Sequence, residues 1–156
     1  MKATELLIRD HQSIRAMLAE SEDASCRIGF DAAQAIARLG EALLLHDRIE
    51  EEVFHPSLMA SYPQERGTPI EQASNEHDRI RQLLREIAEI NAGNGSKWEA
   101  TFKLLKDVVQ QHFRGEEAEL IPKAERDLSE ERLMEIGAHL EARKRQLENE
   151  LKIEKC

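Results

Sequence analysis

His46-Asp47-Arg48-Ile49-Glu50-Glu51-Glu52-Val53-Phe54-His55-Pro56 returns 66 residues later as His112-Phe113-Arg114-Gly115-Glu116-Glu117-Ala118-Glu119-Leu120-Ile121-Pro122. Each copy sets a glutamate four residues after a histidine, which on a helix places both on one face about one turn, or roughly 6 Å, apart. The same shift of 66 carries His11 to His77, Ile14 to Ile80, Leu18 to Leu84 and Leu39 to Leu105. The chain therefore reads as two helical hairpins built on one pattern.

Working outward, apolar residues three and four apart mark one buried seam on each helix. The first seam is Leu7, His11, Ile14 and Leu18; the second is Ile36, Leu39, Leu43, His46, Glu50 and Val53. The third is Ala73, His77, Ile80, Leu84 and Ile87, and the fourth is Trp98, Phe102, Leu105, Val109, His112 and Glu116. Breakers cluster at 26–31, 61–69, 91–96 and 127–129, dividing the chain into segments near 3–26, 31–60, 69–91, 96–126 and 129–156. Short connections make successive segments antiparallel. The expected fold is all-α: an up-down-up-down four-helix bundle over 1–128, with an additional C-terminal helix over 129–156. That last segment places Leu133, Ile136, Leu140, Leu147 and Leu151 at helical spacing, suited to packing on the bundle or supporting a homodimer. Pro56 and Pro122 are expected to kink or loosen the last turns of segments two and four.

Composition agrees. Apolar residues make up 40% and charged ones 34%, with seven Gly and four Pro, a balance that favours long amphipathic helices over a strand-rich sandwich. A net charge of -9 without a Lys/Arg cluster argues against nucleic acid or an anionic membrane surface as partner. The longest purely apolar runs, Ala42 to Leu45 and the equally long Ala16 to Ala19, are far short of a membrane span, and the first residues lack a signal-peptide stretch. Cys26 and Cys156 form neither a disulfide framework nor a Cys-x-x-Cys pair, so the expected location is cytoplasmic.

Four histidines and two glutamates thus interrupt otherwise apolar stripes. In an antiparallel pair, residues equidistant from the turn lie at one height. The midpoint of His11 and His46 falls beside Gly29, that of His46 and His77 at the edge of the 61–69 loop, and that of His77 and His112 beside Gly95. All four imidazoles should share one layer, with Glu50 and Glu116 a turn beyond, making one end of the bundle polar inside. A buried carboxylate must be paired, protonated or metal-bound, and no Lys or Arg lies on these seams. Imidazole and carboxylate together suit iron, manganese or zinc, and two bridging carboxylates compensate two cations. A lone His-x-x-x-Glu is usually a solvated surface pair; convergence of six such residues points to a metal pair on His11, His46, Glu50, His77, His112 and Glu116. His55, nine positions after His46, falls half a turn off the seam and is expected to be exposed. Glu51, Glu52 and Glu117 are expected to be solvated, and His139 lies outside the repeat.

These residues resemble the hemerythrin family, specifically bacterial HHE cation-binding domains, over residues 3 to about 126. The resemblance rests on His11 in Arg-Asp-His-Gln-Ser-Ile, the two His-x-x-x-Glu-Glu stretches running to Pro56 and Pro122, and His77 in Asn-Glu-His-Asp-Arg-Ile. The ferritin-like alternative would place Glu-x-x-His on its helices. The resemblance implies a non-haem centre of two Fe ions with an oxo or hydroxo bridge, Zn or Mn being the other candidates. Glu50 and Glu116 would bridge, with His11 and His46 on one ion and His77 and His112 on the other. Oxygen-carrying members have a further histidine one turn before the position of His77; here that residue is Ala73, which leaves a place for water, another side chain or an exogenous ligand. The implied function is binding of O2, NO or peroxide for sensing, storage or stress protection. The alternatives are a peroxidase- or catalase-like di-iron enzyme and a non-redox metal-binding interaction module.

Overall fold

The computed structural model describes residues 1–24, 30–61, 69–91 and 93–155, and every element among them is helical. The connections expected around Gly29 and within 62–68, and the thiols of Cys26 and Cys156, lie outside the described residues. Helix α1 (Ala3–Ala24) is followed by α2 (Phe30–Ile49), a π turn (Glu50–Phe54) and α3 (His55–Ser61). Then come α4 (Pro69–Ala88), α5 (Gly95–Gly115), a second π turn (Glu116–Leu120), α6 (Ile121–Asp127) and α7 (Glu130–Glu154).

Two helix starts are fixed locally. The Asn94 side chain accepts a hydrogen bond from Lys97 N at the head of α5, and Ser129 accepts one from Arg132 N at the head of α7, each satisfying an amide the helix itself leaves free. Helix α1 packs against α2 and α5, and α4 packs against the same two, which closes the four-helix ring. Direction is read from cross-links: Thr4 meets Glu125, Arg15 meets Glu117 and Glu22 meets Lys106, so α1 runs opposite to α5 and its continuation.

The prolines do not end their helices. Beyond each π turn the chain continues as helix to Ser61 and Asp127. Pro56 and Pro122 lack an N–H and press on the carbonyl four residues back; the wider turn, with His55 N–H bonded to Glu50 O and Ile121 N–H to Glu116 O, gives that carbonyl room. Because the helices continue, the polar layer lies in the middle of the bundle and not at an end. One apolar cluster, including Ile14, Leu39, Leu43, Ile80, Leu105 and Phe113, lies to one side. A second, including Ala3, Leu7, Phe54, Leu58, Leu120 and Ala124, lies to the other. At about 1.5–3 kcal/mol for each large apolar side chain taken from water, these clusters offset what the polar layer costs to bury.

Helix α7 contributes Leu133, Ile136, Leu140 and Leu147 to the second cluster and contacts α1, α2 and the first π turn. Its approach depends on Gly137: a Cβ there would collide with the Met1 carbonyl and sit 2.9 Å from Ala3 N. No described helix is long and apolar enough to cross a membrane.

Candidate metal centre

All six residues singled out from the sequence meet. His11 on α1, His46 on α2, His77 on α4 and His112 on α5 are at most 1% exposed, and Glu50 and Glu116, the first residues of the two π turns, are 0% and 4% exposed. They form two overlapping groups, His11, His46, Glu50, Glu116 and Glu50, His77, His112, Glu116, each with its candidate donor atoms within 4.8 Å of one another. Both glutamates span the groups. Glu50 Oε1 lies 3.1 Å from His46 Nε2 and its Oε2 3.1 Å from His77 Nε2; Glu116 Oε2 lies 3.1 Å from His11 Nε2 and its Oε1 3.3 Å from His112 Nε2.

The donor set fits two cations. None of the four glutamate oxygens accepts a hydrogen bond among the described residues, although all are buried. Nitrogen faces nitrogen at 3.1 Å between His11 and His46 Nε2, and at 3.0 Å between His77 and His112 Nε2. Adjacent donors on one metal at about 2.1 Å stand roughly 3 Å apart with their lone pairs aimed at a common point and not at each other. That is the arrangement here. Among the side chains themselves the charges conflict: burial and the facing Glu50 push Glu116 up to about 7. Against the penalty of burial, His46 and His77 hold Glu50 well below its ordinary range, while contacts with Glu50 and Glu51 lift His77 to about 10.

Each imidazole presents its other nitrogen to a carboxylate. His11 Nδ1 is 2.9 Å from Glu117, His46 Nδ1 3.4 Å from Asp10, His77 Nδ1 2.9 Å from Glu51 and His112 Nδ1 2.6 Å from Glu76. With Nδ1–H donating outward, the Nε2 lone pair is directed inward in all four. Arg15 in turn holds Glu117 at 2.8 Å and Arg81 holds Glu51 at 2.8 Å. Glu51 and Glu117 are therefore anchoring groups and not the solvated residues expected. The hydrogen bond to His77 comes first among the causes that hold Glu51 down at about 2. Asp10, Glu76, Arg15 and Arg81 were missed, yet the signal was available: the shift of 66 maps Asp10 to Glu76 and Arg15 to Arg81.

Two further residues break the repeat. His55, expected at the surface, is 4% exposed; its ring stacks on His77 at 5.9 Å between centroids and its Nε2 has no hydrogen-bond partner among the described residues. A count of 100° per residue fails here because the π turn bonds i to i−5 and returns the fifth residue after Glu50 to the inner face. Burial pushes His55 down to about 4, keeping it a neutral imidazole near neutral pH. Asp47 is 0% exposed, and its Oδ1 lies 3.6 Å from His77 Nε2. Where Ala73 stands one turn before His77, a pocket of about 40 Å³ opens, with Ala73, Glu76, His112 and Glu116 among its walls.

The family model for the hemerythrin HHE cation binding domain matches residues 2–124. The crystal structure of a hemerythrin HHE cation binding domain-containing protein from Mycobacterium kansasii is similar in fold, with a TM-score of 0.82 and 23% identity over 96% of this chain and 89% of that one. No curated protein matches the chain.

Proposed function

The chain belongs to the hemerythrin HHE cation-binding domain family, and we propose on that footing that it holds two iron ions and binds O2, NO or peroxide at them, in sensing, storage or stress protection. The observation that carries this is the pair of buried glutamates, each turning one oxygen to each histidine pair with no hydrogen bond to either oxygen among the described residues. Iron, when bound, supplies a Lewis-acidic, redox-active anchor for a small oxygen- or nitrogen-containing ligand.

The rest is done by the protein. Glu117, Asp10, Glu51 and Glu76 keep a proton on each Nδ1, so that every Nε2 is free to donate to a metal. The apolar clusters on both sides exclude bulk water. The pocket beside Ala73 has room for a water-sized or diatomic molecule and little more, and His112 and Glu116 form part of its wall. Elemental analysis of protein purified without added metal, followed by optical spectra of the anaerobically reduced sample exposed to each gas, tests the reading. Full iron loading with no spectral response to O2, NO or peroxide would sink it.

The same pocket favours a second reading, peroxide turnover in the manner of a catalase or peroxidase, since peroxide is also small enough to enter. That reading fails if the iron-loaded protein consumes peroxide no faster than an equal amount of free iron. The donor set also suits zinc or manganese, and the elemental analysis decides among the metals.

A further inference from the structure

We propose that Asp47 is a seventh metal-binding side chain, giving a carboxylate oxygen to the cation held by His77 and His112 and to that cation alone. The inference rests on the two-metal reading above and adds a residue outside its six.

The argument begins with an unpartnered acid. Asp47 is 0% exposed, and neither of its oxygens accepts a hydrogen bond among the described residues. No Lys or Arg forms an ion pair with it among the described residues, Arg81 acting on it only at longer range; its one ion-pair contact among them is His77 Nε2, 3.6 Å from Oδ1. That nitrogen is the inward-facing one, because His77 Nδ1 is taken by Glu51. It already has Glu50 Oε2 at 3.1 Å and His112 Nε2 at 3.0 Å around the same point. Asp47 Oδ1 therefore stands half an ångström beyond that spacing from His77 Nε2 and outside the groups of donors within 4.8 Å of one another, so a short inward shift of its side chain on metal binding completes the contact. An Nε2 that binds a metal carries no proton to offer Asp47, so the cation itself is the partner that remains for this carboxylate.

The internal repeat supplies a control. The residue 66 positions after Asp47 is Phe113, which follows His112 as Asp47 follows His46. Phe113 stacks its ring on His11 at 3.9 Å between centroids, covering the first imidazole pair with hydrocarbon. The scaffold accepts an apolar residue at this place, so packing alone does not call for a carboxylate at 47. A third buried acid adds one more negative charge beside two divalent cations, which is favourable only if a cation binds there.

The test is an anaerobic titration of metal-stripped protein with ferrous iron, repeated with cobalt(II), whose visible absorption reports its ligands. In Asp47→Asn, one of the two binding steps should weaken by at least about tenfold with the other unchanged, and the cobalt absorption of the weakened step should shift. Asp47→Glu, which keeps the charge, should recover part of the affinity. Thermal melting provides a readout independent of activity: metal-stripped Asp47→Asn should be as stable as the parent or more so, while its gain in melting temperature on adding metal should be smaller. Asp47→Asn binding both ions with parental affinity and spectrum would overturn the proposal and mark Asp47 as a neutral buried acid. So would a loss of stability without metal alongside an unchanged metal-induced gain. A parent protein that fails to take up two ions would instead overturn the two-metal reading itself.

Discussion

The surroundings of the His11–His46 pair and those of the His77–His112 pair are drawn from one repeated pattern, yet they differ in kind. The four imidazoles, two glutamates, four outer carboxylates and two arginines correspond pairwise under the shift of 66. Among the buried positions beside the imidazoles three do not: Phe113 answers to Asp47, Ile121 to His55 and Leu7 to Ala73. Each departure replaces a bulky apolar residue by a polar or small one on the side of His77. The pattern thus separates two jobs, in which the shared residues build a symmetric cradle and the three exceptions make one side of it polar and open.

The most severe way to break the comparison is to remove what both sides share. Because each glutamate serves both groups, Glu50→Ala or Glu116→Ala should release both ions together, lowering metal content measured by elemental analysis from two per chain to well under one. The loss should exceed the roughly 10–100-fold typical of an outer partner. Retention of one tightly bound ion would show that the two groups are independent.

Outer partners allow the sides to be weakened separately. Glu117→Gln should lower affinity for the first ion and Glu51→Gln for the second, each by about 10–100-fold in a chelator competition. Equal weakening of both ions by either change would mean that the outer carboxylates do not act through their own imidazoles.

Acidity comes next. His77, raised from 6.5 to about 10, and Glu116, raised from 4.5 to about 7, hold protons that a metal must displace, so affinity should climb with pH by up to about tenfold per unit for each proton released. The sign for folding is opposite. The stability His77 lends the metal-stripped chain is complete below pH 6.5 and lost as pH rises through about 10; that lent by Glu116 is complete below 4.5 and lost through about 7. Thermal melts of the stripped protein should therefore fall from pH 6 to 10, with loaded protein falling less.

Smaller changes probe α7. Gly137→Ala should force α7 off Met1 and Ala3 and cost about 1–3 kcal/mol, visible as a fall in melting temperature of roughly 2–4 °C per kcal/mol with metal binding retained. Least of all, Lys144→Ala removes the 2.6 Å contact to Asp10 that has no counterpart at Glu76, where Gln72 stands instead. It should cost under about 1 kcal/mol and slightly weaken only the ion at His46, as judged by the same chelator competition.

Much of this was legible beforehand. The inner six residues were found because helical periodicity and a repeat of constant length are both properties of the chain order. Asp10, Glu76, Arg15 and Arg81 obey the same repeat but carry no local signal of their role, since nothing near them in the chain distinguishes an acid that caps an imidazole on another helix from one in water. Glu51 and Glu117 were misjudged for the same reason. His55 was misplaced by a different cause: a helix wheel assumes a constant turn, and the π turns at Glu50–Phe54 and Glu116–Leu120 rotate everything after them.

By itself, then, the order of residues determined the helices, the hairpin repeat and the meeting of His11, His46, Glu50, His77, His112 and Glu116, because local geometry and equal spacing from the turns suffice for these. Only the tertiary structure decided that the polar layer lies mid-bundle, that His55 turns inward and that Asp47 is sealed beside His77 without a hydrogen-bond partner among the described residues. These depend on where neighbouring helices pack and on which polar atoms they leave unsatisfied, and a carboxylate's partners cannot be counted until every surrounding element is in place.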